Sequence, residues 1–135
     1  RYWRLRTALW FSALGFPNTG LLLPYTAQSP TLFKRVEFKT EEDINDEIDR
    51  ILSEPATQKH GVGQSMYFQL PFFCNPDEQI PEWCWNMIDD YYTITEYNIP
   101  ISKTLDDANA WMLDCFSVIK DEINKINIYR SKHGS

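Results

Sequence analysis

Thr7 to Phe33 is a run of 27 residues without a charged side chain, preceded by Arg1, Arg4 and Arg6. It constrains the fold more than any other feature, because so much uncharged sequence must be buried in the fold, covered by a partner or set in a membrane. Its punctuation decides the last case. Gly15, Pro17, Asn18 and Gly20 form a breaker cluster, and Pro24 interrupts the apolar Leu21–Leu23. A spanning helix needs about 20 continuous apolar residues, and a broken one leaves backbone groups unpaired in lipid. A simple span is excluded. Burial in the fold, cover by a partner and an interfacial position remain.

Charge is polarised along the chain. Residues 1–39 carry six basic and one acidic side chain, net +5, while residues 40–135 carry seven and eighteen, net −11. The overall −6 lacks the basic footprint of a general nucleic-acid binder, so no direct nucleic-acid contact is expected. A basic partner suits it better. With 43% hydrophobic and 15% aromatic residues, 135 residues suffice for a core without metal or disulfide. We expect one domain over 1–135, with an uncharged, basic-tipped N-terminal segment over 1–31.

Residues 1–14 fit two periods. Trp3, Leu5, Leu9 and Phe11 alternate with Arg4, Arg6, Ala8 and Trp10 as in a strand, while Trp3, Arg6, Thr7 and Trp10 share a helical face. The aromatic content and opposed arginines favour the strand. Leu32, Val36 and Phe38 fall on one side of a second strand over 32–39. The stretch MYFQLPFF over 66–73 reads as a third, at a sheet edge because of Pro71.

Three helices are expected, at about 41–54, 81–97 and 104–131. Thr40 with Asp43 resembles a capping box for the first, Glu41 to Asp49 forms its solvated face, and Pro55 ends it. A loop fills 55–63 and a turn 74–79. Thr104 with Asp107 caps the last and longest helix, whose apolar stripe runs from Leu105 to Ile126. The expected architecture is α+β, with these helices on a small, mainly antiparallel sheet built from residues near 2–11, 32–39 and 65–73. A mainly α fold with a β-hairpin is the alternative.

Chemistry-bearing residues are sparse. Cys74, Cys84 and Cys115 are an odd number, which argues for free thiols in a reducing, intracellular compartment. Cytoplasmic residence is the default, and organellar residence would follow from a leader cleaved before Arg1. Cys84 and Cys115 lie on apolar stripes as buried thiols, which leaves Cys74, in a turn, as the candidate reactive one. The loop Lys59-His60-Gly61-Val62-Gly63-Gln64-Ser65 suggests a backbone nest for an anion with help from Lys59 and Ser65. It lacks the spacing of a phosphate loop, and a flexible hinge is the simpler reading. No Cys-x-x-Cys or calcium-loop pattern occurs, so no cofactor or metal is expected.

The aromatic group Trp83, Trp85, Tyr91, Tyr92 and Tyr97 is the strongest functional signal. One helix cannot turn all five inward, so some are expected on a partner-binding surface. Trp3, Arg4, Arg6 and Trp10 are the expected N-terminal docking residues. The leading expectation is a non-catalytic protein-binding protein. An assembly subunit, or an accessory or inhibitor factor such as viruses and mobile elements encode, fits it. One alternative is a peripheral subunit of a membrane complex, anchored through residues 1–23. Another is a small enzyme using Cys74 or the His60 loop.

Overall fold

The computed structural model describes residues 2–100 and 107–133. The uncharged segment does not go to one place. Its first half is a helix, α1 (Trp3–Leu14), and its second half supplies the strand β1 (Tyr25–Ser29). Leu5, Thr7, Ala8, Leu9, Trp10 and Phe11 are all buried, because α4 (Val62–Gln69), α7 (Asp107–His133) and α6 (Glu82–Glu96) cover α1 from different sides. A helix buried nearly all round carries no amphipathic stripe. The strand expected near residues 2–11 is thereby corrected: two periods fitted because no wet face existed to choose between them.

The strand β2 (Lys34–Phe38) lies within the expected 32–39. Its antiparallel partner is β1, in a register that pairs Tyr25 with Phe38 and Ser29 with Lys34. Phe38 is buried, and its ring lies 5.6 Å from that of Tyr25 and 5.8 Å from that of Phe73. The third expected strand is also corrected. Residues 62–69 form α4, and Leu70–Phe72 tighten into a 3-10 turn with Pro71 in its first positions. Proline suits that position because a helical start has no use for its missing N–H. The fold is α+β, in which helices greatly outweigh a two-stranded hairpin.

The helix α2 (Glu41–Ser53) matches its expected span, and Asp43 accepts from the backbone N–H groups of Thr40 (3.3 Å) and Lys39 (2.9 Å). Pro55 both ends α2 and opens the short α3 (Pro55–His60), where a loop was expected. A single turn, α5 (Pro76–Gln79), replaces the expected turn over 74–79. The expected cap at Thr104 and the residue Leu105 lie outside the described residues.

The acidic face of α2 has one exception. Glu47 is fully buried and accepts from Ser29 Oγ (2.5 Å), Thr31 N (3.2 Å), Thr31 Oγ1 and Arg50 Nη2 (2.7 Å). It ties the hairpin turn to α2. Burial opposes its charge most strongly, yet the bonds from Ser29, Thr31 and Arg50 together hold its carboxyl below the usual range.

A second buried carboxylate joins three helices. Glu122 of α7 is 1% exposed; it accepts from Arg6 Nη1 at 2.8 Å and from the Trp10 indole N–H at 2.6 Å. The same Arg6 nitrogen lies 2.8 Å from Asp121, which Lys125 also approaches at 3.3 Å. The bond from Arg6, helped by Lys125, holds the Asp121 carboxyl below its ordinary range. Desolvation is the largest influence on the Arg6 guanidinium and opposes its charge, but the bonds to Glu122 and Asp121 outweigh it and its pKa rises. Arg130 of α7 donates to the carbonyl of Ala13 at 2.6 Å, placing a cation at the C-terminal end of α1. Gly63 completes the junction. A Cβ there would lie 2.5 Å from Glu122 Oε2 and 2.9 Å from the Trp10 ring, so only glycine lets α4 approach this closely.

Two outcomes follow. Gly63→Ala forces a methyl against buried groups and should cost about 2 kcal/mol, read as a fall in Tm of roughly 8 °C. Glu47 has a depressed folded pKa, so its contribution is full above the unfolded value and is lost as pH falls through the folded one. Glu47→Gln should therefore lose about 2 kcal/mol at pH 7. Its urea midpoint should converge on that of the parent as pH falls through and below the ordinary carboxylate range; a gap that stays constant through acid unfolding would contradict the assignment.

Candidate functional site

The structure divides the expected aromatic surface. Trp83 and Tyr92 are exposed, and Tyr97 is 70% exposed at the end of α6. Trp85 and Tyr91 are half-buried and packed against the core. Trp83 lies 5.3 Å from Trp111 of α7, and both rings reach solvent. Tyr91 makes an edge-on contact with Phe116 at 5.3 Å, and Trp85 faces Phe16 at 5.9 Å. The five residues thus serve several faces of one helix and do not form one patch.

The N-terminal residues turn inward. Trp10 is 1% exposed and bonded to Glu122, and Arg6 is held by Glu122 and Asp121. Arg4 stacks over the half-buried Trp3 ring at 4.4 Å and donates to the Gln79 carbonyl at 3.3 Å. These side chains hold α1 in the molecule's own core. No helix among the described residues is long and apolar enough to cross a membrane.

The three thiols are all buried and free. Burial pushes Cys84 up to about 12 and raises Cys74 and Cys115 as well. Cys74, expected in a turn and as the most reactive of the three, instead donates its S–H to the Leu70 carbonyl at 3.3 Å and is fully covered. A thiol with a pKa near 12 holds on the order of a thousandfold less thiolate at pH 8 than free cysteine. Native-state labelling of Cys84 with a thiol reagent at pH 8 should therefore be slower than its labelling in urea by about that order, and that of Cys74 and Cys115 slower as well; one cysteine reacting at the free-thiol rate would contradict this burial.

A surface that the sequence did not reveal lies where the chain leaves α1. Leu14, Gly15, Phe16, Pro17, Tyr67, Phe68 and Pro71 enclose a groove of about 450 Å³ with no charged side chain in its lining. Phe16 is 42% exposed and Phe68 45%. Gly15 has a φ of 109°, in the region that favours glycine, and this turns the chain so that Phe16 folds back on Phe11 at 4.8 Å. Phe16 then touches Trp85, so one ring of the expected set borders the groove. Pro71 also lines a neighbouring depression of mixed polarity with Leu21, Arg35 and the exposed Phe72. The breaker cluster at 15–20 and the aromatic run at 66–73 were the available signals. They report on structure individually and on a shared surface only after folding.

The two histidines, His60 and His133, come together in a cleft at the opposite end of α4 from Phe68. Ser65 of the same loop is buried and does not line it. The His60 loop is followed by α4, where a strand was expected. No protein-family model, curated protein or solved structure matches the chain.

Proposed function

We propose that this chain is a non-catalytic protein-binding module, an assembly subunit or accessory factor, that seats an apolar segment of a partner protein against the groove beside Phe16 and Phe68. The observation that carries this reading is the uncharged, ring-lined groove itself, open to solvent on a chain in which 24% of residues are charged. Interface centres are depleted in charge and rich in aromatic rings, and exposed apolar patches mark contact sites. Phenylalanine rings backed by Phe11, Tyr67 and Trp85 are already fixed, which lowers the entropy lost on docking. A partner with basic residues flanking its apolar segment suits the net charge of −6. Three free, buried thiols support residence in a reducing compartment.

Two single variants compare the surfaces. Phe68→Ser removes a half-exposed ring from the groove and should weaken partner capture at least tenfold, while stability falls by about 1 kcal/mol. Trp83→Ala, on the other exposed aromatic face, should leave capture unchanged. The measurement is quantitative affinity capture from native extract, with Tm recorded for each variant. Loss with Trp83→Ala alone would move the docking surface to α6, and retention in both variants would end the proposal.

A further inference from the structure

A second cleft has the opposite character to the groove. It holds about 520 Å³ between the α3–α4 turn and the last turns of α7, within the size range of small-ligand sites. Lys59 and His60 line it from one side, Lys125, Lys132 and His133 from the other. No acidic side chain is in the lining. That concentration is unusual in this molecule. Residues 40–135 carry only seven lysines and arginines against eighteen acids, yet three of the seven meet here with both histidines. Like charges brought together repel, and the arrangement becomes favourable when an anion is placed among them.

The backbone adds to the site. Gly61, with a φ of 90°, makes the turn that sets His60 and Gln64 on the cleft wall. It is also the residue before α4, whose first turn carries N–H groups without intrahelical acceptors. The Lys125 ammonium reaches this turn, since a Cβ on Gly61 would lie 3.9 Å from its Nζ. Asp121 approaches that ammonium at 3.3 Å and, while also held by Arg6, fixes its position. On the far wall His133 stacks on Tyr129 at 4.1 Å, and its Nδ1 sits 2.9 Å from the Tyr129 carbonyl. A carbonyl only accepts, so Nδ1 carries the hydrogen; the remaining Nε2 donates to a ligand oxygen when the ring is an imidazolium and accepts from a ligand O–H when it is neutral.

We propose that this cleft binds a small, multiply charged phosphate, with Lys59 and Lys132 as paired cations, His60 and His133 as hydrogen-bonding walls and the start of α4 as a backbone donor. Phosphate chemistry fits because it combines two or more negative charges with several acceptor oxygens, matching a site that offers mainly donors. The inference is independent of the apolar groove, which shares no lining residue with the cleft.

The chain's two histidines make the test direct, since both line the site and no other imidazole is present. Inorganic pyrophosphate and O-phosphoserine are titrated separately into the full chain while the histidine Cε1–H resonances are followed by proton NMR. Both resonances should move saturably below about 10 mM ligand, and the shift should weaken as salt rises. Tighter binding of pyrophosphate would assign a condensed phosphate, and tighter binding of phosphoserine a phosphomonoester. The double variant Lys59→Gln/Lys132→Gln, at two exposed positions, should keep its Tm and bind about tenfold more weakly. Histidine resonances that stay still, that respond equally to chloride at matched ionic strength, or that shift identically in the double variant would overturn the proposal.

Discussion

The structure depends on the carboxylate of Glu122. An ionised group sealed at 1% exposure is costly unless its oxygens are bonded, and both are, to Arg6 and to the Trp10 indole. Those partners stand one helical turn apart on α1, so α1 can lie on α7 in only one register without stranding the carboxylate. Gly63 then admits α4 to the same point. A polar junction of this kind contributes less by net energy than by exclusion, because every slipped packing leaves a charge or an N–H unpaired. Around it the apolar core is ordinary, with Leu5, Leu9, Phe11, Met66 and Ile119 filling the space between the helices.

Both surfaces of interest inherit their positions from that junction. The groove begins where α1 ends, and the rings that shape it stand on Tyr67 and Phe68 of α4. The cleft lies between the start of α4 and the end of α7, so its two cationic walls are held apart by the helices that Glu122 ties through α1. Tyr129 connects the two regions. It meets Trp10 at 5.3 Å, Phe68 at 5.9 Å and His133 at 4.1 Å, so rings run without interruption from apolar groove to basic cleft. An apolar recess and a cationic one, on a chain of net charge −6, are two chemically distinct parts of its surface.

What was legible in the sequence follows one rule. Elements with one wet and one dry face announced themselves: α2 through Ile44, Ile48 and Ile51, the visible part of α7 through Cys115, Ile119 and Ile126, and β2 through Val36 and Phe38. Elements without such a contrast did not. Helix α1 is covered on several sides, and α4 joins a buried face to the aromatic wall of the groove, so β-favouring residues there outweighed a faint helical period. Strand β1 is short and polar at Thr26 and Gln28, and only its pairing with β2 makes it a strand. Glu47 sat in an acidic run that read as solvated surface, and nothing local distinguishes a carboxylate that will find buried donors, as Glu47 and Glu122 do, from one that will find water.

The candidate sites show the same division. The sequence by itself determined the composition of the molecule: an N-terminal segment too apolar to remain exposed, an acidic remainder, surplus rings, three cysteines and punctuation that breaks the uncharged segment before it could form a spanning helix. It determined the amphipathic helices as well, since their periodicity is local. Only the tertiary structure decided which rings were spent on the core and which were left outside, and that His60 and His133, 73 positions apart, line opposite walls of one cleft. The physical reason is that burial and charge convergence are properties of pairs distant along the chain. Local spacing carries no record of them until the helices have packed.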